Sequence, residues 1–230
     1  MKFKKFFYAS LMVAGAFCTS ASADTFTFTS GMVGNGVDYT FNYNKDIDGA
    51  FLRATVTFDL YDLKDTTAGF HVVVTNNSFG VGTNRLVSFG VDVVNPPLTN
   101  AFTSGSNEWL ASLDQKLPSF PRVDLCAYAG PTCAGGAGGP VPNGTVFGSP
   151  DSFDLLLTFK SGAAGGVTFN SPFPSKWQSV GNSLQSQEFD VCTATGSCVT
   201  DPPTQIPEPT TLALAGIALL GLAATRRRKA

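Results

Sequence analysis

Phe51-Leu52-Arg53-Ala54-Thr55-Val56-Thr57-Phe58-Asp59-Leu60 decides the fold class. Val56, Phe58 and Leu60 alternate with Thr55, Thr57 and Asp59, and a period of two puts one set on each face of an extended chain. The same period recurs to either side. Phe26 and Phe28 share a face of Thr25–Thr29. Val37, Tyr39, Phe41 and Tyr43 alternate with Asp38, Thr40 and Asn42, and Phe70, Val72 and Val74 alternate with His71, Val73 and Thr75. Leu86–Val94, Val123–Ala129, Phe153–Phe159, Val167–Phe169 and Phe189–Val191 complete the set. Turn chemistry separates these runs: Gly34-Asn35-Gly36, Asp48-Gly49, Asn76-Asn77-Ser78, Asn95-Pro96-Pro97 and Pro142-Asn143-Gly144. About ten short strands with frequent turns predict an all-β, antiparallel β-sandwich of jelly-roll-like type over residues 24–200. Asn107–Gln115 fits a short helix or a strand equally well, and no helical period appears outside the two chain ends.

Both ends read as addresses. Lys2, Lys4 and Lys5 precede an uncharged run, Phe6–Phe17. Ala21-Ser22-Ala23 then supplies the small-x-small pattern of signal peptidase, so residues 1–23 read as a signal peptide with a helical apolar core, cleaved between Ala23 and Asp24. At the other end Pro202-Pro203 stiffens a linker, 201–206. Residues 207–230 then hold Pro207-Glu208-Pro209, an uncharged run Thr210–Thr225, and Arg226-Arg227-Arg228-Lys229. The uncharged run is expected to form a single transmembrane helix. Its helical length of roughly 24 Å is short of a bilayer core of about 30 Å, so spanning requires thinning or snorkelling. The basic cluster is expected to remain cytoplasmic and act as a stop-transfer signal, with the body across the membrane.

Charge agrees with this division. Charged residues are 14% of the chain, against roughly a quarter in ordinary domains. Seven of the 15 basic residues lie in the two ends, and of the 17 acids only Glu208 does. The body therefore keeps 8 basic and 16 acidic residues, a net of −8. Such a body disfavours nucleic acid and anionic lipid as partners.

The tail resembles the PEP-CTERM sorting signal of Gram-negative bacteria in all three elements: Pro207, Glu208 and Pro209; the apolar helix Leu212–Ala224; and the basic cluster Arg226, Arg227, Arg228 and Lys229. The resemblance covers about the last 25 residues. It implies an exosortase as processing partner, transient residence in the inner membrane, and a final place at the outer surface or outside, in bacteria that make exopolysaccharide or biofilm matrix. The body is similar to the cistern family of such proteins, through Asn84-Arg85-Leu86-Val87-Ser88-Phe89-Gly90, Val123-Asp124-Leu125-Cys126-Ala127, Cys133-Ala134-Gly135-Gly136 and Ser152-Phe153-Asp154-Leu155. That resemblance implies a location and no biochemical activity.

Loss of Cys18 with the signal leaves Cys126, Cys133, Cys192 and Cys198, which permit three pairings. Local pairing, Cys126–Cys133 and Cys192–Cys198, is favoured because each pair flanks a glycine-containing turn. A zinc site is the competing reading. Its expected spacing is tighter, and an oxidising compartment favours disulfides.

Chemistry-bearing candidates are few. A nucleophilic triad would have to use His71, the one histidine, which sits in a strand pattern and is expected on a sheet face. Trp109 and Trp177 could stack sugars or fill the core. Asn44-Lys45-Asp46-Ile47-Asp48-Gly49 has the opening of a calcium loop, but Thr55 stands where the twelfth-position Glu belongs, and an acidic hairpin turn is expected. Asp151 and Asp154 lie on opposite faces if extended. Gly135–Gly139 lacks the Lys-Ser/Thr of a phosphate loop. Asn76-Asn77-Ser78 and Asn143-Gly144-Thr145 match a glycosylation pattern that a bacterial host is not expected to use. The expectation is an exported, exosortase-processed, non-catalytic surface or matrix protein without metal or cofactor. The alternative is a carbohydrate-binding module acting on matrix polysaccharide. A hydrolase would need two facing carboxylates in a cleft.

Overall fold

The computed structural model describes residues 25–36, 39–106, 108–135 and 143–190. The expected signal peptide, the linker, the sorting tail and Cys192–Cys198 lie outside the described residues. Thirteen strands, numbered along the chain, run through the described part: β1 (Thr25–Phe28), β2 (Tyr39–Ile47), β3 (Ala50–Leu63), β4 (Thr67–Asn76), β5 (Phe79–Gly80), β6 (Gly82–Asn95), β7 (Leu98–Ser104), β8 (Leu110–Lys116), β9 (Arg122–Tyr128), β10 (Asp151–Phe159), β11 (Val167–Asn170), β12 (Ser175–Val180) and β13 (Gln185–Phe189). Among the described residues the only helical pieces are two three-residue turns, Ser30–Met32 and Ala163–Gly165.

The strands form two antiparallel sheets. One follows the order β2-β3-β4-β10-β7, with β5 beside β3. The other follows β1-β11-β6-β12-β13, with β9 on the opposite edge of β6 and β8 beyond it. Fourteen-residue β6 serves two partners end to end on one edge: β12 along Gly82–Phe89 and β11 along Asp92–Asn95. The sheets carry more strands than an eight-stranded jelly roll. Within the ambiguous stretch, Leu110–Gln115 is strand, part of β8. Strands β7 and β12 were not legible in the alternation.

Strand β3 shows why the quoted stretch decides the fold. Leu52, Ala54, Val56, Phe58 and Leu60 are buried, while Arg53, Thr55, Thr57 and Asp59 are half-buried on the other side. Register from Tyr39↔Phe58 to Ile47↔Ala50 joins it to β2 through Asp48-Gly49. Both turn residues have positive φ, 51° and 80°. A type I′ hairpin requires this, and Asp-Gly supplies it at little strain.

Rings from both sheets fill the space between them. Phe58 of β3 contacts Phe28 and Phe169 of the opposite sheet at centroid distances of 6.3 and 5.6 Å, and Phe28 meets Phe70 of β4 at 4.8 Å. Phe41 stacks on Phe173 at 4.4 Å. These interlocked aromatic rings fix the sheet spacing, since removing one leaves a cavity costing about 3–5 kcal/mol. Where the chain crosses from β7 to β8, Thr103 Oγ1 donates to the Trp109 carbonyl (2.7 Å), and the Trp109 ring stacks on Phe153 at 5.4 Å. Trp109 and Trp177 are both fully buried, so the core reading holds and neither can serve as a sugar platform.

Candidate functional site

Three places in the sandwich bring together residues with chemical potential. The first is on the outer face of the β2–β7 sheet. Register places Asp59 of β3, His71 of β4 and Asp154 of β10 side by side on adjacent strands. His71 Nδ1 lies 3.0 Å from Asp154 Oδ1, with both side chains about half exposed. The histidine's neighbours in register are thus two acids on an open sheet. This differs from the hydroxyl and single acid that nucleophilic catalysis arranges around an imidazole.

The second place is a cleft of about 370 Å³ lined by Val93, Pro97, Leu98, Leu113, Asp114 and Asp124. It opens where β6 parts from β9, beyond the last paired residues Val91↔Leu125. There the ladder is continued by side chains. Asp124 N–H donates to Asp92 Oδ1 (3.2 Å), and Val93 N–H donates to Asp124 Oδ2 (2.9 Å). Asp114 accepts from Arg122 Nε at 2.5 Å. Desolvation, reinforced by the charge of Asp124, raises the Asp92 carboxyl above its ordinary range, while the Asp124 N–H opposes that rise. Asp92 and Asp124 therefore act here as strand-closing acceptors, and Asp114 holds an arginine.

The third place is the Asp48 turn. Asp48 Oδ2 accepts from Ser183 N–H (2.7 Å) and Ser183 Oγ (2.6 Å), and its carbonyl accepts from Asn182 Nδ2 (3.0 Å). These bonds hold its carboxyl below the usual range, Ser183 contributing most. Asn44–Gly49 is a hairpin end that docks the β12–β13 turn, as the hairpin reading expected, and its carboxylate is already satisfied by protein donors.

Asp151 and Asp154 do lie on opposite faces. Asp151 Oδ2 points inward and accepts from Thr145 Oγ1 (2.5 Å) and Trp109 Nε1 (3.3 Å). In the first glycosylation-type sequence Asn76 is buried and donates to the carbonyls of Asn84 (2.8 Å) and Thr145 (2.7 Å), leaving no accessible amide. Cys126 and Cys133 form a disulfide, Cα–Cα 6.2 Å, packed with Leu117, Phe120 and Val123. Ser88 Oγ donates to the Cys133 carbonyl (2.7 Å), which ties the disulfide loop onto β6. The partner pair Cys192–Cys198 lies outside the described residues. No group of three or more His, Cys, Asp or Glu among the described residues is placed to hold a metal ion. No helix among them is long and apolar enough to cross a membrane.

Sequence reasoning missed exposed aromatic residues of the outer sheet face, among them Tyr61 and Phe102, 46% and 61% exposed, besides the Phe51–Phe79 pair at the far end of β3. The signal was present for Tyr61, which shares the outward parity of Thr55, Thr57 and Asp59. It was absent for Phe102, whose strand does not alternate.

Sandwich and tail together define a β-sandwich protein borne on a C-terminal sorting segment. The family model described as the PEP-CTERM protein-sorting motif matches residues 205–229, so the chain carries that motif, including Pro207, Glu208, Pro209 and the basic cluster. The motif implies export and membrane processing by exosortase, with a surface or extracellular destination. No curated protein and no solved structure matched the chain. The match is confined to the tail, so the cistern resemblance of the body is not confirmed.

Proposed function

We propose that this is an exported, non-catalytic protein that exosortase processes at the Pro207-Glu208-Pro209 tail and delivers to the outer surface or the exopolysaccharide matrix. The observation that carries this is the match over residues 205–229, which takes in the tripeptide, the apolar run and the basic end. The physical logic is positional. Two prolines fix φ and remove two N–H donors, so the tripeptide stays extended and outside any helix, presenting Glu208 beside the membrane. The apolar run Leu212–Ala224 sets its depth, and Arg226–Lys229 prevent further translocation. Signal peptidase removes residues 1–23 in this scheme. The sandwich is the delivered cargo, and its acids and His71 read as structural or surface groups.

The test is to replace Pro207, Glu208 and Pro209 together with Ala and to immunoblot fractionated cells with and without the exosortase. The expected result is a folded, unshortened precursor in the inner membrane. A variant still shortened and exported at the normal rate would show the tail to be a plain anchor.

A second reading, that the sandwich binds matrix polysaccharide, is supported by the exposed aromatic row on its outer face.

A further inference from the structure

Two in-register rows cross the outer face of the β2–β7 sheet. In the first, Tyr61 on β3, Leu156 on β10 and Phe102 on β7 form an exposed apolar line. Gly69 of β4 completes it. It pairs with Leu156, and Tyr61 is the extra residue of a bulge between Leu60 and Asp62. The Tyr61 ring lies down over Gly69, where a Cβ would sit 2.5 Å from the ring's Cζ. Only glycine leaves room for that ring to lie on the sheet with its other face to solvent. The Tyr61 hydroxyl stays protonated, because desolvation, followed by the charges of Asp154 and Asp62, raises it against the opposing charge of Lys64.

The second row runs two residues further along each strand: Asp59, His71, Asp154 and Ser104. Asp59 Oδ1 is buried and has no hydrogen-bond partner among the described residues, so the accessible carboxylate of this row is that of Asp154. The row contains no Lys or Arg, and the row beyond it, Thr57, Val73 and Ser152, carries no charge.

We propose that this face binds a neutral, extended pyranose chain laid across the strands. Sugar rings stack their C–H faces on Tyr61 and Phe102, and their hydroxyls donate to the half-exposed carboxylate of Asp154. This rests on the second reading above and names its site and ligand class. The apolar surface is a line one residue wide, which matches a linear glycan better than the broad patch of a protein interface. The Tyr61 ring over β4 and Phe102 on β7 are two sheet spacings apart, about 10 Å, enough for successive contacts along one chain. Aromatic faces carry negative potential that attracts polarised C–H groups, and carboxylates are acceptors that suit hydroxyl donors. Beside the Tyr61 ring the carboxylates of Asp62 and Asp154 outnumber the one ammonium of Lys64, which Asp62 already pairs at 2.8 Å, so this side of the face disfavours uronate, sulfate or phosphate and selects an uncharged ligand.

The experiment is isothermal titration of the full chain, in a detergent without a sugar headgroup, with cellohexaose, laminarihexaose and hexagalacturonate. At least one neutral hexamer is expected to bind, with the uronate roughly tenfold weaker or absent. Phe102→Ala, at an exposed edge-strand position, should weaken binding roughly tenfold without changing the circular dichroism. Tyr61→Ala should do the same, and D154N less. Binding of neither neutral hexamer overturns the proposal, as does binding that Phe102→Ala leaves unchanged. A dimer in sedimentation that Phe102→Ala dissolves would instead make the face an interface between copies, and also overturns it. Tail processing is read separately by immunoblot, so a glycan result leaves that reading standing and a processing failure leaves this one standing.

Discussion

Lys176 on β12 and Glu188 on β13 form an ion pair whose side chains are only 7% and 4% exposed. Glu188 has a second partner, since its Oε2 accepts the Ser119 N–H at 2.6 Å. Lys176→Met removes the cation and leaves a carboxylate that one backbone donor cannot compensate. Breaking a buried pair from one side costs about 3–5 kcal/mol, a large share of the roughly 5–15 kcal/mol that holds a domain together. Replacing both partners, Lys176→Met with Glu188→Leu, removes the buried charges together. What remains is the lost Ser119 bond, about 1 kcal/mol. Urea denaturation followed by fluorescence of the adjacent buried Trp177 reads these differences. With a slope near 2 kcal/mol per molar, the single variant should lower the midpoint by about 1.5–2.5 M and the double variant by about 0.5 M. A single variant within about 0.5 M of the native midpoint would mean the pair is solvated, and a double variant as unstable as the single would mean the buried charge is not the cause.

Other outcomes follow from the same structure. Phe58→Ala, at the centre of five ring contacts, should cost about 3–5 kcal/mol in the same assay. Replacing Cys126 and Cys133 by Ser should cost about 2–3 kcal/mol without abolishing the fold, because the closed loop is short; peptide mapping without reduction checks the bond itself. Asp92 has a raised carboxyl, so its ionised form is penalised in the folded state from about pH 3.9 upward. Asp92→Asn should therefore stabilise the protein at pH 7, and the gain should disappear below pH 4 in a pH series of denaturation midpoints. Asp48 behaves oppositely. Its lowered carboxyl contributes stability above about pH 3.9 that is lost as pH falls through the folded value, so Asp48→Asn should flatten the acid limb of the same series.

The sheet parity of β3, β4 and β10 was written in the chain, because each has one face in the core and one in solvent, and that asymmetry forces alternation. The Asp48-Gly49 turn and the Cys126–Cys133 bond were equally local, each depending on residues a few positions apart. The tail was the most legible part, since the sorting motif consists of consecutive residues and needs no fold to be recognised. Strand β12 was silent. All six residues of Ser175-Lys176-Trp177-Gln178-Ser179-Val180 are buried, polar ones included, so no alternation marks them. Only the tertiary structure decides that Lys176 is inside, because Glu188 and Ser119, which make its burial tolerable, come from a neighbouring strand and a distant turn. The outer face follows the same rule. Parity points Tyr61 outward, but its alignment with Phe102, Leu156 and Gly69 depends on pairings among four strands and on one bulge. Register of that kind is set by how the sheet assembles, over separations that no local pattern in the sequence records.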